Sequence, residues 1–93
     1  MQKFFKVCYV KQFEKQRRKI PQQLKKIVAS WINSVEYEGI YETRKSLGYH
    51  GEPLQGKRFG QRSVRLNRDY RLIYKENKKE KMVLLLEVIK HEY

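Results

Sequence analysis

Glu52, Arg65, Arg71, His91 and Tyr93 carry the chemistry needed to cut RNA without a metal. In such a reaction a base takes the proton from a 2′-hydroxyl, which attacks the adjacent phosphate. Cations hold the charge that builds on the phosphorane, and an acid protonates the departing 5′-oxygen. Arg65 and Arg71 suit the charge-holding role, because a guanidinium forks onto phosphate where an ammonium acts as a point charge. His91 suits acid or base, Tyr93 a stacking platform or proton donor, and Glu52 a base. Each has an ordinary alternative: Glu52 a plain loop charge, His91 an idle surface histidine, Tyr93 a frayed last residue. Only their convergence on one face would make a site.

Metal chemistry finds little support. His50, His91 and Cys8 are the only histidines and cysteine, and their spacing fits no zinc site. Neither a Walker-type glycine loop nor paired carboxylates for magnesium occur. The expectation is a reaction with no metal and no other cofactor. A single cysteine also excludes an intrachain disulfide and argues against a small secreted scaffold.

The charge points to a polyanionic partner. Lys and Arg number 22 against 10 Asp and Glu, a formal net charge of +12 on 93 residues. Residues 1–30 hold nine Lys/Arg and one Glu; Lys15, Arg17, Arg18 and Lys19 there read as the solvated outside of a helix. The block at 57–75 (Lys57, Arg58, Arg62, Arg65, Arg68, Arg71 and Lys75, opposed by Asp69 alone) is arginine-dominated and falls on a strand pattern. Lys57, Arg58, Arg62 and Arg68 are therefore expected to touch RNA around Arg65 and Arg71. With 40% apolar and 13% aromatic residues, the chain is too hydrophobic for a disordered basic tail. The length suits one domain, residues 1–93, with a small core of one sheet covered by helices. The longest apolar run, Met82–Leu86, is far short of the ~20 residues that span a bilayer. The charged N-terminus is unlike a signal peptide. A cytoplasmic protein with no membrane partner is expected.

Elements follow from periodicity. Phe4 to Val10 is rich in β-formers and predicts a strand at about 3–10. A short helix from Phe13 to Lys19 follows. Leu24, Ile27, Val28, Trp31, Ile32 and Val35 recur on one helical face, between Pro21 near the first turn and Gly39 as a stop, which predicts a helix over about 21–38. Trp31 on that stripe is core. Residues 40–60 read as a glycine-rich loop with one helical turn near Tyr41–Ser46, and a loop of that length is usually functional. Strands are expected at about 61–67, 70–76 and 81–90.

The register of the first hairpin can be argued. Burying Val64, Leu66, Tyr70 and Leu72 together requires an odd-length loop near Asn67–Asp69. That loop sets Arg65 across from Arg71 on the open face. Two facing arginines repel, which a chain tolerates when an anion normally sits between them. The last strand is apolar on both faces, so it belongs in the sheet interior. Alternation assigns Leu84, Leu86 and Val88 to the face packed on the long helix, and Glu87, His91 and Tyr93 to the open face beside the arginines.

The run Glu52-Pro53-Leu54-Gln55-Gly56, then Gly60-Gln61-Arg62-Ser63-Val64-Arg65-Leu66-Asn67, then Tyr70-Arg71-Leu72-Ile73-Tyr74 resembles the RelE/HigB/YoeB superfamily of toxins from bacterial type II toxin–antitoxin modules. The ending Glu87-Val88-Ile89-Lys90-His91-Glu92-Tyr93 is similar to members that close on a His and a Tyr. The likeness is strong over 50–93; the N-terminal half agrees in layout. It implies a small α+β RelE-like fold, β-α-α-β-β-β, with a twisted, mostly antiparallel sheet against two N-terminal helices. It also implies a ribosome-dependent mRNA endoribonuclease (an mRNA interferase), with a cognate antitoxin, the 70S ribosome and mRNA as partners. By this resemblance Glu52 matches a general base, Arg65 and Arg71 hold the scissile phosphate, His91 matches the C-terminal acid, Tyr93 the nearby tyrosine, and His50 a loop histidine expected to touch RNA. The sequence also departs from the pattern. Lysines that RelE-like members carry near Ser63 and Arg65 are absent, and Glu92 separates His91 from Tyr93, which leaves the roles of those two open. The rival expectations are a ParE-like gyrase poison on the same fold and a non-catalytic RNA- or ribosome-binding protein.

Overall fold

The structure is a computed structural model that describes residues 3–45 and 51–90. In chain order it contains β1 (Lys6–Tyr9), α1 (Lys11–Lys19), α2 (Gln22–Glu38), α3 (Ile40–Lys45), β2 (Gly51–Pro53), β3 (Arg62–Arg65), β4 (Tyr70–Asn77) and β5 (Met82–Lys90), with a 3-10 turn at Gly56–Arg58 between β2 and β3. The sheet order is β1-β5-β4-β3-β2. β1 runs parallel to β5, and every other pairing is antiparallel.

The helix layer begins where the sequence requires it. The Pro21 carbonyl accepts the Leu24 and Lys25 amides at 3.0 and 3.1 Å, opening α2. Gly39 ends it at φ +90°, with its amide on the Val35 carbonyl, a backbone state that costs glycine little. The Gly39 carbonyl then accepts the Thr43 amide and hydroxyl, which starts α3. Leu24, Val28, Trp31 and Val35 are buried on one stripe of α2. They meet Val64, Leu66, Leu72, Tyr74, Val83, Leu85 and Val88 of the sheet. Each such side chain contributes about 1.5–3 kcal/mol by leaving water. The Trp31 and Tyr74 rings lie 5.1 Å apart at this interface.

α1 has a different task. β1 stops opposite Leu85, which leaves the far half of β5 with an open edge. α1 covers it: the Gln16 carboxamide oxygen accepts the Val88 amide at 2.9 Å. An edge capped this way cannot template another strand.

Three expectations are corrected. The sheet has five strands rather than four, because Gly51–Pro53 adds an edge strand. Its Gly-Glu-Pro sequence has no strand propensity, and only its pairing with β3 makes it one. Among the described residues three helices precede β2, since the expected turn near Tyr41 is a helix of its own. The face assignment of β5 holds at Val88 but reverses before it: Val83 and Leu85 are buried, while Leu84 and Leu86 are only partly so. The cause is a β-bulge. Ile73 pairs with Glu87 and Tyr74 with Leu85, so Leu86 is an extra residue on β5, and one extra residue flips the alternation.

Candidate functional site

The sheet face turned away from α2 carries two cross-strand rows. One is Arg65–Arg71–Ile89; the other, two residues along, is Glu52–Ser63–Ile73–Glu87. The three-residue connection Asn67–Asp69 sets the first row. The Asn67 side-chain oxygen accepts the Asp69 and Tyr70 amides at 2.8 Å each, an Asx turn, and the Leu66 amide closes onto the Tyr70 carbonyl at 2.9 Å. Arg65 therefore pairs directly with Arg71, as the hydrophobic register demanded. Directly opposed residues in an antiparallel pair hold their Cβ atoms about 4.5–5.5 Å apart, close enough for both guanidiniums to share one phosphate.

Arg65 is exposed and Arg71 partly buried. Neither has a carboxylate partner among the described residues, and the Arg71 Nε is buried without a hydrogen bond. An unpartnered donor at the meeting point of two cations favours an anionic ligand. Glu52 is exposed at the outer end of the second row, about 7 Å along the sheet from Arg65's row at the usual strand rise. It too has no ion-pair partner among the described residues.

Glu87 closes the other end of that row and behaves differently. Arg58 reaches over from the 3-10 turn to its carboxylate, and the Gln12 amide donates to it at 3.1 Å. Arg58 also donates to Gln61 at 3.0 Å. Ser63 and Ile73 lie between the two glutamates and are only 3% exposed. Of the other expected RNA contacts, Lys57 and Arg68 are exposed, while Arg62 is half-buried and donates to the Gly51 carbonyl at 2.9 Å. His50, His91 and Tyr93 lie outside the described residues.

Beneath β2 lies a buried anchor that sequence reasoning missed. Gly51 packs so tightly that a Cβ there would collide with the Tyr74 hydroxyl, with the Arg44 and Arg62 Nε atoms each 3.5 Å away. Arg44 is joined to Glu76. Burial alone would lower its pKa, but the neighbouring Tyr74 hydroxyl and the Glu76 carboxylate outweigh that and raise it. The anchor fixes the backbone that delivers Glu52. A glycine immediately before Glu52 was its one visible trace in the sequence.

No protein-family description matches the chain, and no curated protein sequence matches it either. Solved structures do. The RelE–RelB complex of the archaeon Pyrococcus horikoshii OT3 contains a chain with TM-score 0.73 at 24% identity, covering 94% of both chains. The RelBE2 toxin–antitoxin complex of Mycobacterium tuberculosis gives 0.71 at 20%, covering 94% of this chain and 98% of that one. The YoeB/ParE toxin of Agrobacterium tumefaciens gives 0.70 at 15%, covering 95% and 100%. The fold is thus the small α+β fold of the RelE-like toxins. Its structural neighbours include RelE, YoeB and YafQ proteins.

Proposed function

We propose that this chain is the toxin of a type II toxin–antitoxin module and that it cleaves mRNA on the ribosome without a metal. The observation that carries this is the Arg65–Arg71 pair: two directly opposed guanidiniums on an open sheet face, with no carboxylate to neutralise them among the described residues. In the reaction, Arg65 and Arg71 bind the scissile phosphate and stabilise the phosphorane. Glu52 takes the 2′-hydroxyl proton and His91 protonates the leaving 5′-oxygen, with Tyr93 able to exchange for either. Lys57 and Arg68 add phosphate contacts at the rim, and Arg58 and Arg62 brace the loop between them while adding positive field. A cognate antitoxin covers the arginine face, as acidic segments do on basic surfaces. The +12 charge steers the chain to ribosomal RNA.

The test is cleavage of a reporter mRNA in a purified translation system. The parent cuts only when the mRNA is being translated, and Arg71→Ala or His91→Ala lowers the rate by about 10²–10⁴-fold, the usual contribution of one positioned group. Equal cutting by parent and both variants would overturn the site. Inhibition of gyrase supercoiling in a reaction without ribosomes would instead identify a gyrase poison.

A further inference from the structure

Phe59 takes no part in the proposed reaction, yet it is 80% exposed, more than the other exposed large apolar side chains of the described residues. Its exposure is built in. The Arg58, Phe59 and Gln61 amides bond back to the Gln55, Gly56 and Arg58 carbonyls at 3.3, 3.1 and 2.9 Å, and the Leu54 amide reaches the Gln61 carbonyl at 2.9 Å. Gly56 at φ +65° and Gly60 at φ +92° bracket the turn, a backbone region open to glycine. Arg58 pins it to Gln61 and Glu87. The chain thus holds an aromatic ring in solvent on a closed turn.

The ring lines a cleft of about 570 Å³ that also includes Leu54, Arg62, Asn77 and Lys78, within the ~300–1,000 Å³ common for ligand clefts. Lys57 is two residues away in sequence. The Lys78 ammonium sits 5.1 Å from the ring centre of Tyr41, itself 48% exposed. The one carboxylate on the wall, Glu76, is already joined to Arg44. Exposed aromatic faces beside cations that no carboxylate neutralises are the composition of single-strand nucleic-acid grooves. Protein-binding patches, by contrast, are depleted in lysine at their centre.

We infer that this cleft binds single-stranded RNA, with one unpaired base stacked on Phe59 and a flanking phosphate held by Lys78. As part of an enzyme the site rests on the nuclease reading. Arg62 on the cleft wall is three residues along β3 from Arg65, about 10 Å at the usual strand rise. The odd spacing turns Arg62 to the opposite face of the sheet from Arg65, so an RNA strand held between Arg65 and Arg71 rounds the β2–β3 end of the sheet to enter the cleft.

The probe is a fluorescent single-stranded 2′-O-methyl oligonucleotide, which cannot be cut by 2′-hydroxyl attack, titrated by anisotropy against the full chain. Phe59→Ala should weaken binding about 5-fold to 150-fold, the usual loss of one stacked base, and Phe59→Trp should retain it. Lys78→Ala should reduce the salt dependence of binding, while Phe59→Ala should leave that slope unchanged. Parent-like affinity in Phe59→Ala, with the circular dichroism of the parent, overturns the stacking site. So does a Phe59→Ala variant that loses affinity for the purified antitoxin alone, which would make the cleft a protein contact. Ribosomal cleavage is scored separately. A parent that cuts while Phe59→Ala binds normally sinks the stacking site and spares the nuclease. A parent that never cuts while Phe59→Ala binds weakly does the reverse.

Discussion

Arg65 and Arg71 stand directly opposite each other on neighbouring antiparallel strands, on the face of the sheet that the helices leave open. A chain selected for stability alone would place a carboxylate or a neutral side chain at one of the two positions. Like charges in direct register cost about 0.2–1 kcal/mol, and the buried, unbonded Nε of Arg71 adds to that cost. The strain is local, and it is relieved by an anion placed between the two groups.

Replacing one arginine should therefore stabilise the empty protein. Arg65→Gln is expected to add about 0.2–1 kcal/mol at low salt, a rise of roughly 1–8 °C in thermal midpoint for a domain of this size. Inorganic phosphate should raise the parent's midpoint more than the variant's, because ligands stabilise in proportion to their occupancy of the folded state. Thermal scans with and without phosphate check both. A midpoint that falls in Arg65→Gln would show that the pair is not strained.

The delivery of Glu52 depends on the space left by Gly51. In Gly51→Ala the new methyl group meets the Tyr74 hydroxyl beneath β2. Overpacking of this kind costs about 1–3 kcal/mol. Tyr74→Phe removes the obstructing oxygen, so the double variant should recover part of the loss, and the two substitutions should fail to add. Denaturant melts of the four proteins measure this. Strict additivity would mean that β2 is held elsewhere.

The helix stripe through Trp31 and the odd loop at Asn67–Asp69 were legible because each rests on a repeat, 3.6 for the helix and 2 for the strands, that burial enforces. The opposed arginines followed from the same constraint. What the sequence concealed came from elsewhere. β2 has no propensity of its own and exists by pairing with β3. The bulge at Leu86 leaves no mark on an all-apolar run, so Leu84 read as core when Val83 and Leu85 fill that role. Arg58 reads in the sequence as an RNA contact, and its contact with Glu87, 29 residues away, is one that local pattern cannot reveal.

Acid should act on α1. The hydrogen bond from Arg17 holds the Glu14 carboxyl below the ordinary 4.5, against a smaller opposing effect of desolvation, with Arg18 assisting. A carboxyl whose folded pKa is depressed contributes stability above its unfolded value and loses it as pH falls through the folded one. Glu14→Gln should therefore be less stable than the parent near neutrality, and the gap should close as pH drops below about 4.5. Thermal midpoints of both proteins through the acid range give the answer. A gap that persists at the lowest pH would assign the effect to packing rather than to charge.

Glu52 and Glu87 end the same cross-strand row and should separate cleanly in function. Glu87 is bound by Arg58 and Gln12, so its carboxylate is engaged, whereas Glu52 is exposed on the edge strand. Glu52→Gln should lower ribosomal mRNA cleavage by about 10²–10⁴-fold, as expected for loss of a base, and leave the thermal midpoint unchanged. It should also tighten binding of an uncleavable RNA slightly, because a negative charge leaves the basic face. In Glu87→Gln the partly exposed pair with Arg58 is lost, at a cost of about 0.2–1 kcal/mol, and cleavage falls only as far as the loop that Arg58 holds is loosened. Rates and midpoints for both variants decide between the two carboxylates. A slow, stable Glu87→Gln beside an active Glu52→Gln would transfer the base to β5.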